Sequence, residues 1–359
     1  MAVHGGNTEE IARKYKLNPS EIIDFSANIN PLGISENVKK AMIDAIDKVV
    51  KYPDITYFDL KNSISNFEDI NSQNIILGNG AAEAIFNIVR ALKPKKALLP
   101  APTFSEYEEA ILSVNGEIKY YKLKEKNNFE IDNEFIDNIK DDIDVVFICN
   151  PNNPTGNTVY LASILEMMAE QEKLLIVDET FMEFVPAEGE YSLVSKVKDY
   201  KNLIIIKAVT KFFGLPGLRL GYGVSSNREL LEGMYEYKEP WTVNSFAETL
   251  TPTLFQDVAY IKESKAYFDL ERKRMMTSLK EIRGLKVYET DTNFILLKLE
   301  TLKAYDLKKI LFEKYDLLIR DASNFKGLDA HFIRIAVKSE EENNKLITAL
   351  RKEIDHELY

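Results

Sequence analysis

Cysteine occurs once in the 359 residues, at Cys149, which excludes an intrachain disulfide and a thiolate metal cluster. The three histidines never fall into an HExxH spacing, so no metal site is expected from them. No run of about 18 apolar residues is present and no apolar stretch follows the N-terminus, so neither membrane spanning nor secretion is expected. Lys and Arg form no basic stripe, and 57 acidic against 46 basic residues leave a net charge of -11. Nucleic acid is therefore not the expected partner, although a local cluster can still receive an anionic small molecule. A cytoplasmic enzyme or binding protein remains, with 45% hydrophobic residues, enough for a large core in two domains.

What is present begins with a short arm, HGGN at His4–Asn7, followed by a helical stretch at Glu9–Tyr15. The polar loop DFSANINPLG at Asp24–Gly33 precedes a helical spacing of apolar residues over Glu36–Val49. From Tyr52 onward, short apolar runs alternate with amphipathic helices. Strands are expected at Asn74–Leu77, Ala97–Leu99, Glu117–Tyr121, Val145–Cys149, Leu174–Val177 and Leu203–Ile206, with helices at Ala82–Ala91, Ser105–Val114 and Leu161–Glu170. This alternation predicts an α/β domain with a mostly parallel sheet between helices over 50–245. A closed barrel competes, but Leu203–Ile206 runs into Arg219–Val224 without room for a crossover helix, which favours an open sheet. A long helix at Asp257–Ile282, with a stripe of Val258, Ile261, Ala266, Phe268 and Leu279, leads to strands and helices of a smaller α+β domain. That domain is assigned to 246–359 together with 1–49.

Four features fall at expected strand ends, where open α/β sheets place ligands. Gly78–Ala82 (GNGAA) joins a strand to a helix, and is either a plain turn or a loop that lets backbone N–H groups approach a phosphate. NPNNPTG at Asn150–Gly156 can present the Asn153 amide. Asp178 closes a buried strand, where a carboxylate needs a cation or a strong donor. Lys211 follows another strand and Arg219 stands eight residues on, across Gly214, Pro216 and Gly217. Such a lysine can form a Schiff base and such an arginine can hold an anion. Together they suit pyridoxal 5'-phosphate, with Lys211 as anchor and Asp178 keeping the pyridine nitrogen protonated. Arg219, Thr210 and the Gly80, Ala81 and Ala82 amides would hold the phosphate, and Phe104 would stack on the ring.

YPD, GNGAAE, NPNNPTG, DETF and TKFFGLPGLRLGY, in this order, resemble the fold-type I pyridoxal-phosphate-dependent aminotransferases over essentially the whole chain. Within that superfamily the chain is most similar to the L-threonine-O-3-phosphate decarboxylases of the cobalamin pathway, and next to the histidinol-phosphate aminotransferases. The decarboxylase likeness is carried by HGGN, DFSANINPLG, DETF, IRDASNF at Ile319–Phe325 and FIRIAV at Phe332–Val337. The resemblance implies that Asn153 bonds the cofactor's phenolic oxygen and that Tyr52 reaches the cofactor phosphate of a second subunit, in a homodimer with shared sites. It implies further that Arg334 binds the substrate carboxylate, and that His4, Asn30 and Arg320 gather about a substrate phosphate. Gly33 and Asn153 complete the implied substrate set. Two positions depart from the commoner pattern. Ala208 stands where many relatives carry a hydroxyl, a loss that Lys207 or Thr210 is expected to cover. Phe181 replaces the tyrosine of most aminotransferases, as it does in the resembled decarboxylases.

The resemblance thus implies a lyase that converts L-threonine O-3-phosphate to (R)-1-amino-2-propanol O-2-phosphate and CO₂. Histidinol-phosphate transamination, decarboxylation of another phosphorylated amino acid such as phosphoserine, and a regulatory domain of the same fold stand as alternatives. The last is disfavoured because the fold begins almost at once and the net charge is negative.

Overall fold

In the computed structural model, which describes residues 5–356, thirteen strands fall in chain order. They are β1 (Ile23–Asp24), β2 (Ile75–Asn79), β3 (Lys96–Ala101), β4 (Glu117–Lys122), β5 (Val145–Cys149), β6 (Leu174–Asp178), β7 (Leu203–Ala208), β8 (Leu220–Val224), β9 (Leu285–Val287), β10 (Phe294–Leu299), β11 (Leu317–Leu318), β12 (Arg320–Asp321) and β13 (Phe332–Ala336). Seven of them form an open sheet in the order β2-β8-β7-β6-β5-β3-β4. The β3–β4, β3–β5, β5–β6 and β6–β7 pairs are parallel. Only β8 runs against its neighbours β7 and β2, because the short Lys211–Arg219 segment leaves no crossover. The open sheet, rather than a barrel, is what forms.

The runs VVFIC, LLIVD and LIIIKA are buried almost throughout, as strands covered on both faces must be. Their alternation divides the core. Val146, Ile148, Val177 and Ile205 pack in one cluster, whereas Val145, Phe147, Cys149, Ile176, Ile204 and Ile206 pack in the other. By the same two-residue period, Asp178 shares a face with Ile176, and Lys207 shares the opposite face with Ile205.

A second sheet, β12-β13-β10-β9, is antiparallel, and β1 pairs in parallel with β11. That pairing, with Ala12 and Ile22 packed on Phe312 and Leu318, ties the N-terminal segment to the C-terminal elements. Several helices depart from the sequence pattern. Glu36–Val49 stops as an α-helix at Asp44 and continues as a 3-10 turn over Ile46–Val50. Helices at Phe58–Glu68, Arg228–Tyr237 and Ser245–Gln256 are additional to those expected, and the last contains Pro252. The long helix spans Val258–Lys280, but Val258 is exposed; its buried side is Tyr260, Ser264, Phe268, Glu271, Arg272, Met275, Met276 and Leu279.

Candidate active site

Strands β2, β3, β5, β6 and β7 all end at one edge of the large sheet, and the antiparallel β8 begins there, with Leu220 opposite Asn79. The loops leaving that edge deliver the side chains of the site. Phe104 follows β3, Asn153 follows β5, Asp178 ends β6, Thr210 and Lys211 follow β7, and Arg219 precedes β8. These residues, with Ala81, Ala82, Arg320 and Arg334, line a single cavity of about 580 Å³.

Asp178 is buried but fully engaged. Its Oδ2 accepts from the Tyr107 hydroxyl at 2.7 Å, and its Oδ1 accepts from the Thr180 N–H at 2.9 Å and from the Thr180 hydroxyl. Burial raises its pKa; the Thr180 and Tyr107 bonds and the charge of Lys211 oppose that rise. Lys211 is drawn down to about 8 by burial, then by Arg334 and Arg219, against the pull of Asp178. A lysine so placed has a substantial neutral fraction near pH 7–8 and can act as a nucleophile.

Arg219 occupies the left-handed region at φ 55, a conformation costly for a residue with a Cβ. It thereby turns its guanidinium over the start of the Gly80–Leu92 helix, with Nη2 3.4 Å from the Asn79 carbonyl. Gly80 has φ +78, and any side chain on it would collide with that guanidinium. A helix N-terminus and a guanidinium therefore meet at one corner of the cavity, an arrangement suited to a phosphate.

At the opposite side Arg320 and Arg334 face each other on neighbouring strands β12 and β13. Arg334 donates from Nη1 to Asn153 Oδ1 at 2.5 Å and from Nη2 to the Ser26 carbonyl at 2.8 Å. Its Nε is buried with no hydrogen-bond partner. Burial and the nearby Arg320 lower its pKa to about 9, which leaves it charged at neutral pH. Arg320 donates to the Asp321 carbonyl and to Asn324 Oδ1, both at 2.6 Å.

Several expectations are corrected. Asn30 does not line the cavity: its Nδ2 donates to the Phe212 carbonyl and to Ser264 Oγ, both at 2.8 Å, and its Oδ1 accepts from the Leu32 N–H. Asn28 lines it instead, with Oδ1 buried and without a partner. Gly33 is also elsewhere, its carbonyl accepting from the Tyr260 hydroxyl. Lys207 cannot replace a hydroxyl at Ala208, because strand alternation sends it to the other face, where it pairs with Glu68 at 3.1 Å and Glu183 at 3.0 Å. Tyr52, expected to serve a second subunit's site rather than its own, is 82% exposed, with its ring 4.9 Å from that of Trp241. His4 lies outside the described residues. Thr180, Asn324 and Tyr107 join the site without having been singled out in the sequence. Tyr107 carried a readable signal, since it stands one helical turn after Phe104 and a buried Asp178 demands a donor.

Residues 20–350 match the Aminotransferase class I and II family, and the chain belongs to it. The cofactor of this family is pyridoxal 5'-phosphate, and the cavity fits it. The Gly80–Arg219 corner suits its phosphate, buried Asp178 suits a protonated ring nitrogen, and Lys211 has the depressed pKa of a covalent anchor. Among individual relatives, a Caldanaerobacter subterraneus protein assigned as a threonine-phosphate decarboxylase is 43% identical over 97% of this chain and 93% of its own. The threonine-phosphate decarboxylase of Salmonella typhimurium is 34% identical over 98% and 96%. Among solved structures, the histidinol-phosphate aminotransferase from Clostridium acetobutylicum superposes with a TM-score of 0.87 at 36% identity, over 92% of this chain and 99% of the other.

Proposed function

We propose that the protein decarboxylates L-threonine O-3-phosphate, giving (R)-1-amino-2-propanol O-2-phosphate and CO₂, as a step of cobalamin biosynthesis. The observation that carries this reading is the Arg320–Arg334 pair on adjacent strands beside Lys211. Two anion receptors suit a substrate bearing both a carboxylate and a phosphate. Arg334 still has a buried donor, Nε, to offer a carboxylate. Arg320 with Asn324, and His4 from the N-terminal arm, would hold the phosphate, and Asn28 Oδ1 would accept from the substrate's amine.

Bound pyridoxal 5'-phosphate supplies an electron sink for a bond broken at the substrate's α-carbon. Lys211 would anchor it, Asp178 would serve the ring nitrogen, Asn153 the phenolic oxygen and Phe104 the ring, and Arg219, Thr210 and the Gly80–Ala82 amides would hold the phosphate. The protein chooses the bond by orientation. Arg334 grips the carboxylate so that the Cα–carboxylate bond is the one that breaks. Lys211 Nζ, released from its anchoring bond when the substrate's amine takes its place, would then deliver a proton to Cα as CO₂ leaves.

The same proposal includes a cytoplasmic homodimer. Ile43, Ile46, Val49, Val50, Tyr52, Ile55 and Phe58 are all exposed within one short stretch, a clustering of apolar side chains that suits an interaction surface. A second copy covering it would bring Tyr52 of the partner subunit to the cofactor phosphate. Among the described residues no helix is long and apolar enough to cross a membrane.

The likeness to a histidinol-phosphate aminotransferase structure supports transamination as a second reading. One assay separates them. Holoenzyme is given carboxyl-labelled L-threonine O-3-phosphate without a keto acid; labelled CO₂ and the amino-propanol phosphate are expected. No CO₂, together with 2-oxoglutarate-dependent conversion of histidinol phosphate and glutamate formation, would replace the decarboxylase reading by the aminotransferase one.

A further inference from the structure

Arg320 reaches the cavity from β12, but its guanidinium is held by the segment that follows. Besides its bonds to the Asp321 carbonyl and Asn324 Oδ1, it lies 5.3 Å from the Phe325 ring centroid. The guanidinium is thereby tied to the backbone and side chains of residues 321–325. This segment belongs to the small sheet, whereas Lys211 and Asp178 belong to the large one. Something must fix the distance between the two.

The next two residues make that contact. Lys326 Nζ lies 3.1 Å from Glu108 Oε1 and 3.6 Å from the centroid of the Tyr120 ring. Glu108 is on the Glu106–Ser113 helix and Tyr120 on β4, both parts of the large-sheet layer. Gly327, at φ +95, lets the chain close on β3; a Cβ there would stand 3.2 Å from the Ala101 carbonyl oxygen. Lys326, Glu108 and Tyr120 all line the cavity rim.

We infer that Lys326 is a positioning residue, an anchor that clips the Arg320-bearing segment to Glu108 and Tyr120 and so sets where the substrate's phosphate is received. The inference rests on the phosphorylated-substrate reading. The salt bridge is partly exposed on both sides, at 49% and 34%, so each contact is individually modest. Lys326→Met should therefore raise KM for O-phospho-L-threonine about threefold to tenfold, with kcat within about twofold. Glu108→Gln should give a smaller rise because the ring contact survives, and Lys326→Arg should restore most of the affinity.

Two measurements on holoenzyme make the idea falsifiable. In a double-mutant cycle, Lys326→Met added to Arg320→Ala should change KM no further. Additive losses would mean that Lys326 touches the phosphate itself, overturning the positioning role. Independently of turnover, Lys326→Met should speed hydrogen exchange of the 322–331 amides; unchanged exchange would also overturn it. If wild type neither turns over nor binds O-phospho-L-threonine, the proposed function fails, while the exchange result still decides whether the anchor exists.

Discussion

Lys207 and Lys211 stand four residues apart and belong to two charged centres of opposite character. Around Lys211 the cations outnumber the acids, with Arg219, Arg320, Arg334 and Lys326 against Asp178, Glu106 and Glu108 in one cavity. Around Lys207 the acids outnumber the cations. Glu68 and Glu183 bind it directly, Glu68 also accepts from the Tyr222 hydroxyl at 2.5 Å, and Glu179 lies close by. Both centres contain buried polar atoms without a partner. In the first these are Arg334 Nε and Asn28 Oδ1, on residues that line the cavity; in the second it is Glu183 Oε2, in closed packing. An orphan beside a cavity points to a ligand, whereas an orphan carboxylate oxygen within the core marks a group whose charge is costly to bury.

The largest effect expected is at Lys211. Lys211→Ala should abolish decarboxylation and the coloured cofactor complex, while circular dichroism and thermal midpoint stay near wild type. Borohydride reduction followed by peptide mapping should label Lys211 in the native enzyme and no lysine in the variant; covalent label on Lys207 would reverse the roles assigned to the two centres.

Removing the other lysine should instead act on stability. Burial disfavours the charge on Lys207, but Glu183, Glu68 and Glu179 more than offset this and hold its pKa well above the ordinary lysine range. Lys207→Met would leave Glu68 and Glu183 facing each other with no cation, a loss of about 3–5 kcal/mol. Urea denaturation of the holoenzyme checks it. An unfolding free energy within about 1 kcal/mol of wild type would show the pair to be dispensable.

These contrasts explain how much could be read from the chain alone. Strand ends were legible because buried parallel strands are near-continuous apolar runs, so Asp178 and Lys211 stand out as charges at their edges. The face of a side chain was harder to read. Of the two residues expected to cover the hydroxyl missing at Ala208, Thr210 lines the cavity and Lys207 does not, because one step along a strand reverses direction. Asn28 and Asn30 share one irregular loop, where no period says which amide meets the cavity and which meets the Phe212 carbonyl. Arg320 and Arg334 could be named, but only pairing of β12 with β13 brings them together.

A crossed pair of substitutions tests that loop. Asn28→Ala should lower kcat/KM for the phosphorylated substrate by about one decade and leave stability unchanged, since its Oδ1 has no partner in the free protein. Asn30→Ala should cost about 1–3 kcal/mol of stability by stranding the Phe212 carbonyl and Ser264. If both variants lose activity and neither loses stability, Asn30 returns to the substrate set.

The smallest effect expected is a pH dependence at Glu179, whose side chain accepts from Ser192 Oγ at 2.6 Å and the Leu193 N–H at 2.8 Å. Burial pushes its pKa up to about 7 from an ordinary 4.5; Lys207, Ser192 and Leu193 oppose the rise and Glu68 adds to it. Between those two values the native state keeps a proton that the unfolded chain has released. Stability from this group is therefore complete below about pH 4.5 and is lost as pH climbs through about 7. Glu179→Gln cannot titrate, so its stability relative to wild type should improve as pH rises across that window and then level off. The constant cost of turning one acceptor oxygen into a donor shifts the whole comparison without altering its slope. The slope should be shallow, because burial raises the pKa of Glu183 as well, so the two carboxyls compete for a proton beside Lys207. A wild-type-minus-variant difference that is flat from pH 4.5 to 7 in urea titrations would mean that the proton resides elsewhere, with Glu183 and its unpartnered Oε2 as its holder.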